Sequence, residues 1–185
     1  MEIITGTADS LPTGVHSSLA RYRHRVFVEM LGWKLVSRDG MELDQFDRPD
    51  TLYVVARRPD GEVTGMARLL ATDRPYLLDE IFPQLLGDEP APRTPDVWEL
   101  SRFAAVDFGS DRHCAAHGFC SPVAFRLIRE VLTLASRAGV RRLISVSPLA
   151  VERILRNLGI HAHRAGPPVV VEGAPLIACW IEVCR

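Results

Sequence analysis

Apolar residues recur at two spacings along the chain, and the spacing separates predicted helices from predicted strands. Over residues 16–31 they follow the period of an amphipathic helix, and Gly32 provides a stop signal. A longer helix is predicted over residues 123–138, because Ser121 is a suitable N-cap and Pro122 suits the first helical position. Shorter helical segments are predicted over residues 77–86 and 151–158.

Several short β-prone runs lie between these helices. They cover residues 52–57, 63–70, 97–106, 143–146, 169–171 and 176–183. Pro59-Asp60-Gly61 is a strong turn signal, so the first two runs are predicted to form a hairpin. Residues 32–51 lack a clear period and are predicted to form a long ordered loop, a feature that is usually functional. This order predicts an α/β (α+β) fold, with a mixed sheet and helices packed on it.

Composition narrows the class of protein. With 185 residues, 47% apolar and 24% charged, the chain is predicted to be one globular domain covering residues 1–185. A net charge of −1 argues against a nucleic-acid partner. The N-terminus lacks the pattern of a secretory signal, and no apolar run reaches the roughly 20 residues that span a bilayer. We therefore expect a cytoplasmic protein without a membrane partner.

The cysteines and histidines offer no clear metal site. Cytosolic chains seldom keep disulfides, so the four cysteines, Cys114, Cys120, Cys179 and Cys184, are expected to be reduced. The segment 113–120 contains two histidines and two cysteines, but its spacing is not that of a zinc knuckle and no second pair matches it. His161 and His163 are more simply strand or loop residues than ligands. No metal is predicted.

Aromatic and charged residues mark a candidate pocket early in the chain. Arg23 and Phe27 lie four apart on the first helix and share one face, and Trp33 follows just beyond its end. The alternative is that both aromatics are core and that Arg23 is solvated or salt-bridged. Asp44 and Asp47 flank an aromatic residue in the following loop and offer acceptors to a cationic ligand, although capping roles are common for such pairs.

Three further charges lie within runs suited to buried strands. Arg68 lies in an apolar run and needs an acidic or carbonyl partner once buried, for which Glu99 is a candidate. Glu99 and Arg102 lie on the predicted central strand, where regular alternation would point them to opposite faces. We therefore predict a bulge or splay of the strand at this point.

Together these residues resemble a known constellation. The eight positions are Arg23, Phe27, Trp33, Asp44, Asp47, Arg68, Glu99 and Arg102, and the strand carries the string Glu-Leu-Ser-Arg-Phe. The pattern is similar to that of the autoinducer synthases of LuxI type, which are acyl-homoserine-lactone synthases, and the resemblance covers nearly the whole chain. It implies the fold of the Gcn5-related N-acyltransferases, a three-layer sandwich with a mixed, splayed sheet flanked by helices.

The resemblance implies a two-step reaction. The amine of S-adenosylmethionine attacks an acyl thioester, and the carboxylate then closes to the lactone and releases methylthioadenosine, giving a quorum-sensing signal. S-adenosylmethionine is thus a cosubstrate, and no other cofactor is implied. The implied catalytic residues are Glu99, Arg23, Asp44, Asp47, Arg68 and Arg102, with Glu99 as candidate base. The implied S-adenosylmethionine site comprises Phe27, Trp33, Asp44, Asp47, Arg102 and Phe103.

The resemblance also implies an acyl-chain pocket and an acyl donor. The pocket residues are Leu100, Ile144, Ser145, Val146, Val151 and Leu155. Ser145 falls where many relatives carry either a threonine or a smaller residue, a choice associated with the oxidation state at the third carbon of the acyl chain, and serine leaves that choice open. The donor is an acyl carrier protein or acyl-coenzyme A. A candidate docking surface for the acidic carrier protein consists of Arg141, Arg142, Arg153, Arg156 and Arg164.

Two alternatives remain open at this point. One is a Gcn5-related N-acyltransferase that acts on another amine, but the pyrophosphate loop usual in such enzymes is not reproduced over residues 112–121, which contain only Gly118. The other is a non-catalytic protein that binds S-adenosylmethionine or a carrier protein. It needs the pocket residues but not Glu99 as a proton acceptor.

Overall fold

The computed structural model describes residues 1–109 and 121–183. The chain divides into two compact units, the first from residues 1–68 and 102–130 and the second from residues 69–101 and 131–185. The single domain over residues 1–185 stays a prediction.

Ten strands and four α-helices are present in the described residues. The strands are β1 Glu2–Gly6, β2 Ser37–Arg38, β3 Met41–Glu42, β4 Leu52–Arg57, β5 Val63–Ala71, β6 Val97–Ala104, β7 Arg142–Pro148, β8 Ala162–Arg164, β9 Val169–Val171 and β10 Ala174–Glu182. The helices are α1 Val15–Arg23, α2 Leu77–Ile81, α3 Pro122–Arg137 and α4 Ala150–Asn157. A π-helical segment covers His24–Met30, and a 3₁₀ turn covers Pro83–Leu86.

The first unit places α1 beside a set of strands in the order β1-β4-β5. Strand β1, which the sequence pattern did not predict, runs antiparallel to β4 with Gly6 opposite Tyr53. Leu19, Tyr22 and Val26 recur at helical spacing and pack with Tyr53 and other apolar residues in one buried cluster. This packing fixes the face of α1 and therefore the direction of Arg23.

The predicted first helix changes type near its middle. After α1 the chain continues as a π-helix, in which the Leu31 N–H donates to the Val26 carbonyl five residues earlier at 3.0 Å. The Trp33 N–H then donates to the Phe27 carbonyl at 2.8 Å, and Gly32 takes a positive φ of 68°. Such π turns are rare overall, but those that occur are often found at functional sites. Here the wider turn brings the main chain of Trp33 within hydrogen-bonding distance of the main chain of Phe27.

The segment predicted as a long loop contains a small hairpin. Strands β2 and β3 pair antiparallel, with Ser37 opposite Glu42. Asp39 and Gly40 form its turn with φ values of 51° and 68°, as a type I′ turn requires. The Asp-Gly pair was a usable hairpin signal in the sequence, and the description of residues 32–51 as a loop alone was incomplete.

The second unit contains residues 97–101 of β6, followed in strand order by β7, β10 and β8, with β9 also paired to β10. Strands β6 and β7 are parallel, whereas β7 and β10 are antiparallel, so the predicted mixed sheet is confirmed. Within the described residues, β6 and β7 pair only from Val97–Glu99 against Arg142–Ile144, although β7 continues to Pro148. The two strands therefore separate after Glu99, as predicted.

Strand β6 is also irregular. Arg102 has a φ of 52°, in the left-handed region that a non-glycine residue seldom adopts. A regular strand would send residues 99 and 102 to opposite faces, and the backbone departs from regular geometry between them. The predicted irregularity is thus present.

Local signals explain the ends of the helices in the rest of the chain. Ser121 Oγ accepts a hydrogen bond from the Ala124 N–H at 3.1 Å and caps α3. Gly139 and Gly159 follow α3 and α4 with φ values of 79° and 77°, which suits helix ends. Strand β8 was not predicted. Among residues 1–109 and 121–183, no helix is long and apolar enough to cross a membrane.

Candidate active site

Six charged side chains meet inside the first unit, and we call them the ionic cluster. They are Arg23 on α1, Glu42 on β3, Asp44 and Asp47 in the following loop, Arg68 on β5 and Arg102 on β6. Three are cationic and three are anionic, so their formal charges balance. Because an unpaired charge in a protein interior is very costly, this balance is what allows the group to be buried.

Arg23 joins two of the carboxylates. Its Nε donates to Glu42 Oε2 and its Nη1 to Asp47 Oδ1, both at 2.6 Å. Its Nη2 lies 3.7 Å from Asp44 Oδ2, and no acceptor among the described residues hydrogen-bonds to that nitrogen. The side chain is fully buried. Burial alone would lower the pKa of Arg23, but Asp47 and Glu42 raise it above its usual value, so the guanidinium stays charged.

Arg68 and Arg102 complete the cluster from the two strands. Arg68 Nη1 donates to Asp44 Oδ1 at 2.6 Å and lies 3.3 Å from Asp47 Oδ1. Arg102 Nη2 donates to Glu42 Oε1 at 3.0 Å and to Asp44 Oδ2 at 2.9 Å. The left-handed backbone at Arg102 thus accompanies a side chain that bridges two carboxylates.

The acidic loop is shaped by its own hydrogen bonds. The Asp44 N–H donates to Asp47 Oδ2 at 2.7 Å, and the Phe46 N–H donates to Asp44 Oδ1 at 2.9 Å. Both aspartates therefore have the capping and turn roles that are common for such pairs. They coexist with the ion pairs, because each carboxylate oxygen accepts more than one hydrogen bond.

Arginines keep the buried carboxylates ionised. Burial would raise the pKa of Glu42, but hydrogen bonds from Arg23 and Arg102 bring it below its usual value. Burial likewise opposes ionisation of Asp47, and the charges of Arg23 and Arg68 hold its pKa well below its usual range. Neither carboxylate is therefore suited to take up a proton near neutral pH.

The members of the cluster differ in access to solvent. The side chain of Asp44 is 19% exposed, compared with 1% for Glu42 and 3% for Asp47. Asp44 is therefore the carboxylate best placed to meet a ligand. Glu42 and Asp47 instead hold the arginines in place.

Two aromatic rings lie beside the cluster. Phe27 and Trp33 are stacked, with centroids 4.9 Å apart and planes inclined by 25°. Phe27 is buried, and the Arg102 guanidinium lies 5.5 Å from its ring centroid, whereas Trp33 is 44% exposed. Phe103 is partly buried on β6. An exposed indole on a buried ring offers a flat apolar surface that also attracts cations.

Two residues of this region were missed in the sequence. Glu42 pairs with both Arg23 and Arg102, and the Tyr53 hydroxyl donates to Asp47 Oδ1 at 2.8 Å. The predicted site already contained three acids for its three arginines, so nothing in the sequence indicated Glu42 as a further partner. No sequence signal pointed to Tyr53, whose partner is set by packing.

Glu99 lies in the second unit and is fully buried. Its Oε2 and Oε1 accept hydrogen bonds from the Leu77 and Leu78 N–H groups at 3.0 and 2.7 Å, at the start of α2. Unpaired N–H groups at a helix start favour a carboxylate. The structure thus gives Glu99 a clear positioning contact, while its role as a base stays a prediction.

The predicted acyl-pocket residues also lie in the second unit. Leu100, Ile144, Val151 and Leu155 are buried, and Val146 is half-buried. Strand alternation places Ser145 and Ser147 on one face of β7, and their hydroxyls are hydrogen-bonded at 2.8 Å. Ile144 and Val146 point to the other face. On a regular strand, therefore, the predicted set divides between two faces.

The basic residues predicted to dock a carrier protein are partly neutralised. Arg141 pairs with Asp96, Arg164 Nε donates to Glu152 Oε2 at 2.7 Å, and Arg142 stacks on Trp180 with its guanidinium 4.3 Å from the ring centroid. Arg153, Arg156 and Arg164 line a shared open depression of about 550 Å³ with Glu152 and Asn157. That depression brings three of the five predicted docking arginines together.

The metal question concerns two parts of the chain. The segment 113–120, including Cys114 and Cys120, lies outside the described residues, as do Cys184 and most of residues 112–121, where the sequence lacks the usual pyrophosphate loop. In the part that the structure describes, no group of three or more His, Cys, Asp or Glu side chains is arranged to hold a metal ion. Cys179 is a free thiol, and burial raises its pKa to about 12.

Comparison with known proteins identifies the family. The autoinducer synthase family profile matches residues 12–184. The chain belongs to the autoinducer synthase family. It is 49% identical over 183 residues to the acyl-homoserine-lactone synthase of Acinetobacter nosocomialis, an alignment that covers 99% of this chain and 100% of the relative. The family predicted from the eight-residue constellation is thus confirmed.

Solved structures of this family have the same fold. TofI in a ternary complex with an inhibitor and MTA gives a TM-score of 0.83 at 47% identity, covering 99% of this chain and 92% of that one. The CoA-dependent acyl-homoserine lactone synthase BjaI, with SAM and isopentyl-CoA, gives 0.86 at 27% identity, covering 99% and 82%. A Lactobacillus plantarum structure described as an N-acetyltransferase gives 0.62 at 17% identity, covering 99% and 98%, which supports the predicted fold class alone.

Proposed function

We propose that this autoinducer synthase is an acyl-homoserine-lactone synthase that uses S-adenosylmethionine and an acyl thioester. The amine nitrogen attacks the thioester carbon and releases the carrier thiol. The cosubstrate carboxylate then attacks the carbon beside the sulfonium, closes the lactone and displaces methylthioadenosine. The named relatives support this reaction, and the product is a quorum-sensing signal.

One observation carries the proposal at the level of chemistry. A buried, charge-balanced cluster exposes mainly one carboxylate, that of Asp44, and an exposed indole lies in the same unit. S-adenosylmethionine carries an ammonium and a sulfonium, so Asp44 suits the first and the face of Trp33 suits the second or the adenine. The stacked Phe27 fixes the plane of that indole.

The other charged residues support this contact. Arg102 grips the cosubstrate carboxylate or holds Asp44 in place. Arg23 Nη2, a buried donor without a hydrogen-bond acceptor among the described residues, is a further candidate to bind the cosubstrate carboxylate. Asp47 and Arg68 keep Asp44 oriented, and Phe103 adds an apolar wall.

Glu99 is the candidate base for the amine. The ammonium must lose a proton before it can attack, and Glu99, oriented by its two main-chain hydrogen bonds, is the acid of the eight-residue constellation that lies outside the ionic cluster. Its role is exerted through a water. We further propose that main-chain N–H groups near the point where β6 and β7 separate stabilise the thioester oxyanion.

The acyl chain binds among apolar residues of the second unit. We assign Leu100, Val151 and Leu155 to its walls together with one face of β7, either Ile144 and Val146 or Ser145, whose hydroxyl suits an oxygen substituent on the chain. The donor is an acyl carrier protein or acyl-coenzyme A, and the depression around Arg153 and Arg156 suits the acidic surface or phosphate of either. Reaction takes place in the cytoplasm, without a further cofactor, metal, nucleic acid or membrane partner.

A direct assay tests the function. Purified protein is incubated with S-adenosylmethionine and matched acyl groups on either carrier protein or coenzyme A, and acyl-homoserine lactone and methylthioadenosine are measured by mass spectrometry. Equal amounts of both products are expected with at least one donor. An amide without methylthioadenosine, or acylation of another amine, would instead support the N-acyltransferase alternative, and tight binding without product would support the binding protein.

A variant pair tests the role of Glu99. Glu99→Gln keeps the size of the side chain but removes its basicity, so the acylation rate is expected to fall by about 10²–10⁴-fold, the usual contribution of a general base. Glu182→Gln, at the end of β10 in the same unit, is the matched control and should retain wild-type turnover. Full turnover by Glu99→Gln would refute the role of Glu99 as the base and would leave the proposed overall reaction unchanged.

A further inference from the structure

Tyr53 is an uncharged residue whose side chain hydrogen-bonds directly to a carboxylate of the ionic cluster. It lies on β4, is fully buried, and its hydroxyl donates to Asp47 Oδ1 at 2.8 Å. The same oxygen accepts Arg23 Nη1 at 2.6 Å, while Oδ2 accepts the Asp44 N–H at 2.7 Å. Asp47 is therefore held by donors from α1, β4 and its own loop.

These contacts connect Tyr53 to the exposed carboxylate. Asp47 binds the Asp44 main chain through Oδ2, and the Asp44 side chain is the most exposed member of the cluster. Rotation of the Asp47 carboxylate would therefore shift the backbone that carries Asp44. The hydroxyl of Tyr53 opposes such rotation, because it fixes the oxygen opposite the one that binds Asp44.

The charge state of the tyrosine suits this role. Burial raises the pKa of Tyr53, and the neighbouring Asp47 raises it further, so the phenol stays protonated and remains a donor. The ring packs in the apolar core of the first unit, with His16 edge-on at a centroid distance of 5.5 Å. A ring fixed on all sides presents its hydroxyl in one position.

We propose that Tyr53 is a positioning residue for the S-adenosylmethionine side of the site and acts through Asp47. The inference rests on the proposed function and adds a residue outside the constellation that identified the family. Tyr53 touches no reacting atom. It sets the orientation of Asp47, and Asp47 sets that of Asp44.

The structure supplies a matched control for this proposal. Tyr22 is also buried in the core of the first unit, and its hydroxyl donates to the Val106 carbonyl at 3.1 Å and accepts the Val106 N–H at 2.8 Å. Tyr53→Phe and Tyr22→Phe each delete one buried oxygen and leave all six charges of the cluster unchanged. Only the first removes a hydrogen bond to the cluster.

The experiment measures S-adenosylmethionine affinity by calorimetry and KM by turnover for wild type, both tyrosine variants, Asp47→Asn and the double variant Asp47→Asn with Tyr53→Phe. A hydrogen bond to a charged group predicts about a tenfold weaker Kd and higher KM for Tyr53→Phe. Tyr22→Phe should stay within about twofold of wild type, and KM for the acyl thioester should not change. Because Tyr53 acts through Asp47, the double variant should be no worse than Asp47→Asn alone.

The outcomes separate the two claims. Equal effects of the two tyrosine variants, additive effects in the double variant, or loss of folding in Tyr53→Phe at the assay temperature would overturn the inference while wild-type synthesis continued. Wild-type protein that binds S-adenosylmethionine but forms no lactone would overturn the proposed function, and the affinity comparison would still decide the role of Tyr53. Failure of wild type to bind S-adenosylmethionine would overturn both.

Discussion

The ionic cluster and the β7–α4 region, residues 142–157, bury opposite kinds of side chain. The cluster buries three arginines and three carboxylates and is held by directional contacts such as Arg23 with Glu42. The β7–α4 region buries Ile144, Val151 and Leu155 and contains a single hydroxyl pair between Ser145 and Ser147. Buried charges require specific partners, whereas buried apolar residues require only volume. A functional assignment is therefore far better defined in the first region than in the second.

The largest effect on stability and activity is expected when one arginine of the ionic cluster is removed. Arg23→Met leaves Glu42 and Asp47 without their shared partner, so the free energy of unfolding should fall by about 3–5 kcal/mol and synthesis should cease. Urea denaturation and lactone assay measure both. The control is Arg57→Met, which removes the solvent-exposed pair with Glu2 and should cost less than about 1 kcal/mol. Equal losses in the two variants would show that the cluster is not tightly coupled.

A cavity in the β7–α4 region should destabilise the protein less than loss of a cluster arginine. It should change the acyl-chain preference and leave S-adenosylmethionine binding unchanged. Leu155→Ala should lower the free energy of unfolding by about 2–5 kcal/mol, because Leu155 is buried and its neighbours relax only partly. Since α4 lies apart from the ionic cluster along the chain, KM for S-adenosylmethionine should stay at the wild-type value while preference moves toward longer acyl chains. A changed KM for S-adenosylmethionine with unchanged acyl preference would contradict the assignment of the two regions.

Acid should act on the ionic cluster before it acts on the apolar region. The folded-state pKa values of Glu42 and Asp47 lie below their usual 4.5 and 3.8, so their stabilisation is complete above those values and is lost as pH falls below them. The thermal midpoint should thus fall from about pH 4.5 downward. Asp47→Asn should be less stable at pH 7 but show a shallower acid decline, and an identical decline in both proteins would refute this.

The smallest expected effect concerns the hydroxyl pair. Ser145→Ala removes one partner of the 2.8 Å hydrogen bond and should change the free energy of unfolding by about 1 kcal/mol. Turnover of acyl chains oxygenated at the third carbon should fall several-fold relative to unsubstituted chains. The reason is that the variant loses one neutral hydrogen bond to that oxygen, which contributes about 1 kcal/mol. Ser147→Ala is the control for loss of the pair itself. No change in acyl preference for Ser145→Ala would remove that residue from the proposed pocket.

Sequence patterns predicted the elements with the strongest local signals. The β4–β5 hairpin, the capped helix α3 and the helix α4 followed from turn residues, caps and periodicity. Strands β1 and β8 were missed because short edge segments such as Glu2–Gly6 gain their stability from a distant partner, here β4. The π-helical segment was also missed, since its residues suit an ordinary helix and only the packing around it selects the wider turn.

Charged residues in apolar surroundings were enough to identify most of the candidate site from the sequence. Arg68 and Glu99 could be singled out because an ionised group in a buried strand has to be compensated, whatever the fold. The identity of each partner was decided by the tertiary structure. Arg68 pairs with Asp44 and Arg23 with Glu42, while Glu99 accepts main-chain hydrogen bonds from the start of α2. Residue types fix which groups need a partner, but only the convergence of distant strands and loops fixes which partner lies within hydrogen-bonding distance.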